Sequence, residues 1–122
     1  MANHDKDYTD WIEYPHAQLR FILNTERGTP TQFLVQLEYR LEDGWEPVVR
    51  FDHNPDGVYG HDITEEGLHM DIYRDGEKHL VRRDFPPVEL SNAPDYCESY
   101  IENHADRLFR RYKEWHNLTT DQ

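Results

Sequence analysis

One short stretch of the sequence concentrates the side chains that most often carry chemistry. Residues 50–74 contain three histidines, four aspartates, two glutamates and two arginines, and the segments around them alternate apolar and polar residues. Histidine exchanges protons near neutral pH, carboxylates accept protons or bind metals, and arginine binds phosphate or carboxylate groups. A catalytic or binding site is therefore expected within or beside this stretch.

His61 and His69 are the predicted proton-transfer groups, because an unperturbed imidazole titrates near pH 6.5 and both donates and accepts in the physiological range. His69 lies two residues from Asp71, whose carboxylate is placed to orient the imidazole ring. The predicted catalytic residues are His61, His69, Asp71 and Asp52. The predicted substrate-binding residues are Arg40, Arg50, Tyr73 and Arg82.

No metal is assigned to this set. An alternative is a metal site, since two imidazoles and a carboxylate suit zinc, iron or manganese. Its ligands would be His61, Asp62, His69 and Asp71. Their spacing lacks the fixed interval of helical zinc-hydrolase motifs. Cys97 is the only cysteine, which excludes a cysteine-based zinc site and an intramolecular disulfide, and it is interpreted as a core residue.

Alternation of apolar and polar residues with a period of two predicts about five strands. The pair Asp75-Gly76 suits a tight hairpin turn between the last two strands. A long loop over residues 54–67 joins the third strand to the fourth, and long loops in small domains are often functional. The expected strands are near 19–24, 33–41, 45–52 and 68–73, with a fifth that carries Leu80, Val81 and Phe85.

The C-terminal region predicts an amphipathic helix from Pro94 to about His116, with apolar residues at intervals of three and four. That helix should cover the apolar face of the sheet, which gives an α+β fold: an antiparallel meander of about five strands with one packed helix. The predicted organisation is a single domain over 17–118, a flexible N-terminal segment over 1–16 and a flexible tail over 119–122.

If the helix covers one face, the opposite face collects the polar members of neighbouring strands, because residues two apart on a strand point the same way. This reasoning places the predicted polar residues of four strands together: Arg40, Arg50, Asp52, His69, Asp71, Tyr73 and Arg82. The alternative is a solvated face on which opposite charges pair across strands, at about 0.2–1 kcal/mol for each pair.

The overall charge is strongly acidic, with 25 carboxylate residues against 13 bases and a formal net charge of −12. Three of the bases are lysines and ten are arginines, a pattern that resembles the proteins of haloarchaea. It predicts a salt-adapted protein, although a mesophilic acidic protein is the alternative. The N-terminus lacks a leader pattern and no segment reads as a membrane span, so a soluble cytoplasmic protein without a membrane partner is expected.

The order of the segments LEYRLEDGW, VVRFDHN, a glycine-rich loop with a histidine, EKHL and a last amphipathic helix resembles the TumE-like toxins of toxin–antitoxin systems. The resemblance covers about residues 33–115. Tyr39, Arg40, Arg50 and Asp52 match motif positions, and His61 stands where the family has the first histidine of a His-x-His pair. The second histidine of that pair has no counterpart here.

The resemblance implies a metal-independent endoribonuclease that needs no cofactor, or a degenerate relative of one, with an antitoxin-like protein partner. Arg40 and Arg50 would then bind a phosphodiester, and His61 and His69 would act as base and acid. The net charge opposes nucleic-acid binding, which normally gains affinity from a basic surface. The alternative is a non-catalytic interaction module whose sheet face or edge pairs with a partner protein or a second copy of the chain.

Overall fold

Six antiparallel strands and one long helix form the fold in a computed structural model that describes residues 5–42, 44–57 and 60–116. The strands follow one another across the sheet in chain order, so the sheet is a meander. The predicted α+β fold is therefore confirmed, with six strands instead of five. The elements are β1 (Lys6–Glu13), β2 (Ala17–Glu26), β3 (Thr29–Leu41), β4 (Gly44–His53), α1 (Ile63–Glu66), β5 (Met70–Arg74), β6 (Glu77–Arg82), a 3-10 turn (Leu90–Asn92) and α2 (Ala93–Trp115).

The additional strand is β1, which lies in the segment predicted to be flexible. It pairs with β2 along its whole length, and nearly all of its residues are exposed, as expected at the edge of a sheet. Tyr8 stacks on Phe21 with ring centroids 5.0 Å apart, and Ile12 packs partly against the core. Because nearly all of β1 is exposed, its sequence carries no clear alternation of apolar and polar residues. The predicted tail over 119–122 lies outside the described residues.

The core lies between the sheet and α2, as the amphipathic pattern predicted. Pro94 is in the first turn of α2, where its missing N–H costs no helical hydrogen bond, and His116 caps the other end. The buried side of α2 presents Cys97, Ile101, Ala105, Leu108, Phe109 and Tyr112. The facing side chains of the sheet include Leu19, Phe21, Phe33, Val35, Leu37, Val49 and Phe51.

The pairing of β4 with β5 is short, and this shapes the site. Only Val49 with Ile72 and Arg50 with Asp71 are in register, so the two strands separate beyond Arg50. The loop over residues 54–69 leaves from the end of β4 and returns to the start of β5, at the point where they separate. The hairpin that follows turns at Asp75 and Gly76, both with positive φ as expected for a type I′ turn. Across the described residues, no helix combines the length and apolarity needed to cross a membrane.

Candidate functional site

The face of the sheet opposite α2 carries a chain of hydrogen-bonded polar side chains. Gln18 Nε2 donates to Glu38 Oε1 at 2.7 Å, and Gln36 Nε2 donates to Glu38 Oε2 at 2.6 Å. Arg50 Nε donates to Gln36 Oε1 at 2.6 Å, and the Arg50 guanidinium carbon lies 5.0 Å from the centre of the Tyr73 ring. Gln36 and the Tyr73 ring therefore hold the Arg50 guanidinium from two sides, near the end of β4.

Four of the predicted site residues meet where β4 and β5 separate. Asp52 comes from β4, His61 from the loop, His69 from the residue before β5, and Asp71 from β5 itself. One nitrogen or oxygen atom from each lies within 4.8 Å of the others. His69 and Asp71 are each only 2% exposed, whereas Asp52 and His61 are partly exposed. The cluster therefore has a buried floor and a rim open to solvent.

Several polar atoms of this cluster are buried without a hydrogen-bond partner among the described residues. They are both ring nitrogens of His69, Oδ1 of Asp52 and Oδ1 of Asp71. Leaving a buried polar group unsatisfied costs about 1–3 kcal/mol, and folded proteins contain few of them. Because these unpartnered atoms lie together, the cluster is the candidate binding site of the domain.

The electrostatics of the cluster favour a positive charge at its centre. Burial raises the pKa of Asp52, and the nearby His61 opposes that effect while Asp71 adds to it. Lys78 Nζ lies 3.3 Å from Asp71 Oδ2 at the exposed side. Glu66 Oε1 lies 3.7 Å from His61 Nδ1. Among the described residues, Lys78 thus forms an ion pair with Asp71, and no lysine or arginine forms one with Asp52.

The loop places His61 through its backbone. The Asn54 N–H donates to the His61 carbonyl at 2.8 Å, which closes the loop. Just beyond it, the Ile63 N–H donates to Nδ1 of His53 at 3.2 Å, and the His53 ring is 3% exposed and stacked on Phe33. Burial lowers the pKa of His53, so the ring stays neutral and its Nδ1 remains an acceptor. The sequence prediction missed this role, although the alternation of β4 places His53 on the core side.

Asp62 is not part of the cluster, so the metal site considered as an alternative is wrong in one ligand. Its carboxylate accepts the N–H of Thr64 at 2.9 Å and caps α1. Glu66 Oε2 in turn accepts the N–H of Asp62 at 3.0 Å. A carboxylate just before a helix satisfies the free N–H groups of the first turn, and this local demand keeps Asp62 away from the histidines. Asp52 takes its place in the cluster.

Two predicted substrate-binding residues lie elsewhere. Arg82 pairs with Met70, whereas Asp71 pairs with Val81, so Arg82 is on the α2 side of the sheet and the prediction that it shares the polar face is wrong. There its Nη1 donates to the hydroxyl of Tyr100 at 3.2 Å. Arg40 is on the polar face but exposed, about 13 Å along β3 from Gln36, which is the residue opposite Arg50.

The sequence profile of a family described as a domain of unknown function, DUF7718, matches residues 1–118. The chain belongs to this family. The match spans the four clustered residues, Arg50 and the loop, so the candidate site lies inside the DUF7718 domain. No curated protein and no solved structure matches the chain. The resemblance of this DUF7718 domain to TumE-like toxins therefore stays a prediction.

Proposed function

We propose that this protein binds one divalent transition-metal ion through Asp52, His61, His69 and Asp71. The observation that carries the proposal is the convergence of four potential ligand atoms within 4.8 Å of one another, with buried, unpartnered atoms on three of the four residues. A bound cation would satisfy those atoms together and offset both carboxylates. The prediction from the sequence assigned no metal, because the spacing of the candidate ligands lacks the fixed interval of helical zinc-hydrolase motifs.

The distances suit a site with one ion. Metal–nitrogen and metal–oxygen bonds in zinc sites are about 2.0–2.2 Å, so two ligands of one ion lie at most about 4.4 Å apart. Ligand atoms within 4.8 Å of one another need only small movements to reach that range. Asp52 and His61 are partly exposed and have the room to make them, whereas His69 and Asp71 are buried and form a fixed base.

The donor set favours zinc, manganese or iron. Calcium and magnesium prefer sites made of oxygen atoms alone, whereas two imidazoles with two carboxylates suit the three transition metals. A bound ion of this kind polarises a coordinated water or substrate oxygen, which is the chemistry of metal-assisted hydrolysis. The chain's own part is to hold the ion at the rim, where Asp52 and His61 are open to solvent.

Metal binding is tested on the full chain carrying a tag without histidine, since the chain itself contains eight histidines. Zn²⁺, Mn²⁺ and Fe²⁺ are titrated in a calorimeter, and the metal content of the purified protein is measured by mass spectrometry. The Co²⁺-substituted protein is examined by visible absorption, which reports the coordination of the ion. One ion per chain with nitrogen and oxygen ligands is the expected result.

The matched variants are Asp71→Asn and Asp62→Asn. Both exchange a carboxylate for an amide of the same shape, but only Asp71 lies in the cluster, and asparagine still caps α1 at position 62. Asp71→Asn should weaken metal binding by at least about tenfold, while Asp62→Asn should leave it nearly unchanged. Equal affinities for the wild type and Asp71→Asn, or no binding by the wild type, would refute the proposal.

A second candidate is the metal-independent RNA cleavage that the resemblance to TumE-like toxins implies. The observation in its favour is the same pair of imidazoles, which provide a base and an acid beside two carboxylates. RNA cleavage at high salt that persists with a chelator and is lost in His61→Ala would favour this candidate over the metal. An antitoxin-like partner, self-association through a sheet edge and a cytoplasmic location stay predictions.

A further inference from the structure

We propose that the metal-loaded site binds an oxyanion, a phosphate or carboxylate group, with one oxygen on the ion and at least one other on the Arg50 guanidinium. This inference rests on the proposed metal site and names the class of ligand that the site takes.

Only one of the three guanidinium nitrogens of Arg50 donates a hydrogen bond to a described residue. Its Nε is used by Gln36, while the two Nη groups make no hydrogen bond and no ion pair with any described residue. The side chain is nevertheless held in place, between Gln36 on one side and the Tyr73 ring on the other. A guanidinium that is already fixed loses little conformational freedom when a ligand binds. Its Nη groups can donate to the phosphate or carboxylate oxygens that are not on the ion.

The position of Arg50 brings this fork to the edge of the cluster. Arg50 is directly opposite Asp71 in the register of β4 and β5. It also lies two residues before Asp52 on the same strand, so the two side chains point to the same face of the sheet. Neither carboxylate forms a direct ion pair with Arg50 within the described structure, which leaves its Nη groups available to an oxyanion bound beside the ion.

The charges make anion binding depend on the metal. Without an ion, Asp52, Asp71 and Glu66 outnumber Arg50 and Lys78, and an oxyanion is repelled. A divalent ion offsets Asp52 and Asp71, which leaves two basic side chains against one acidic side chain. Lys78 lies 3.3 Å from Asp71 and its side chain is 44% exposed, so it flanks the open side from which an anion arrives.

The experiment titrates inorganic phosphate and acetate separately into the Zn²⁺-loaded and the metal-free protein at constant ionic strength. Visible absorption of the Co²⁺-substituted protein reports whether the anion reaches the ion itself. Binding of either anion to the loaded protein alone is expected. Phosphate binding identifies a phosphoryl group as the ligand, and acetate binding identifies a carboxylate. Equal binding with and without metal, or no anion binding, overturns the inference.

The variants are Arg50→Gln, Arg50→Lys and the control Arg40→Gln, which removes an arginine from the same face far from the cluster. Arg50→Gln should weaken anion binding by about tenfold or more, since it removes hydrogen bonds from a charged donor to the anion. Arg50→Lys should recover part of the loss because it keeps the charge. Arg40→Gln should have no effect.

Metal affinity measured on the same variants separates the two proposals. It should remain within about threefold of the wild type in all of them, because none replaces a ligand of the ion. If the metal binds but Arg50→Gln leaves anion affinity unchanged, the oxyanion inference fails and the metal site stands. If the wild type binds no metal, the proposed function itself fails.

Discussion

The imidazole ring centroids of His61 and His69 lie 4.5 Å apart with the ring planes at 78°, although His61 comes from a loop and His69 from the residue before a strand. His69 is 2% exposed, whereas the side chain of His61 is 24% exposed and also faces Glu66. The two rings are thus unequal partners. His69 belongs to the buried floor of the cluster and His61 to its solvent-accessible rim.

This difference in exposure predicts that substitutions of the two histidines lower metal affinity by different amounts. His69→Ala should lower metal affinity by about a hundredfold or more, since water enters a buried position poorly, and His61→Ala by about tenfold, since water replaces a ligand at the rim. Competition with a chromophoric chelator measures both constants, and His79→Ala on the exposed strand β6 is the control. Losses of equal size would contradict the assignment of floor and rim.

The position of His61 depends on a glycine that is not a ligand. A Cβ at Gly60 would overlap the carbonyl oxygen of Asn54, so any side chain there forces the backbone of the loop to move. That loop is closed by the hydrogen bond from the Asn54 N–H to His61. Gly60→Ala should therefore weaken metal binding by about tenfold, while the far-ultraviolet circular dichroism stays unchanged.

Gly57→Ala is the matched control in the same loop. The atoms nearest to a Cβ at Gly57 belong to the side-chain amide of Asn54, at 2.5 Å, and a flexible side chain can rotate away. We expect nearly wild-type metal affinity for this variant in the same chelator competition. If the two alanine variants behave alike, the contact at Gly60 does not control the position of His61.

Most of the site can be predicted from the alternation of side chains along the strands. Where that prediction fails, the cause is local. Alternation alone brings Asp52, His69 and Asp71 to one face, because β4 and β5 are neighbours. It fails for Arg82 because Leu80 and Val81 are both apolar and both exposed, so the apolar pattern of β6 does not mark the core side. It fails for Asp62 because a hydrogen bond that caps α1 decides the direction of that side chain, and no periodicity reports it.

The balance of charge predicts that salt stabilises the fold. The formal charge is −12, and the described residues contain only six ion pairs at 4.0 Å or less, two of which need a protonated histidine. Raising KCl from about 0.1 M to about 1 M shortens the Debye length from about 10 Å to about 3 Å and screens the repulsion among carboxylates. The midpoint of thermal unfolding should rise with KCl. A midpoint that falls with KCl would contradict the salt-adapted interpretation.

A buried hydroxyl in the core gives a test that is independent of the site. Tyr112 is 1% exposed, and its hydroxyl has no hydrogen-bond partner among the described residues. Burial, with Glu46 and Asp75 nearby, raises the pKa of Tyr112 to about 12, so the group stays protonated and uncharged. Tyr112→Phe removes an unsatisfied polar atom and keeps the ring, so the free energy of unfolding should be unchanged or higher by up to about 1 kcal/mol.

Tyr112→Ala removes the ring as well. The ring packs against Tyr39 at 5.8 Å between centroids and against His116 at 4.2 Å, so its loss leaves a cavity between α2 and the sheet. A loss of about 3–5 kcal/mol is expected, as for other large aromatic residues replaced by alanine in a core. Both values are measured by urea unfolding in about 1 M KCl, where repulsion among the carboxylates is screened. A loss of more than about 1 kcal/mol in Tyr112→Phe would mean that the hydroxyl makes a hydrogen bond in solution, for example to a buried water.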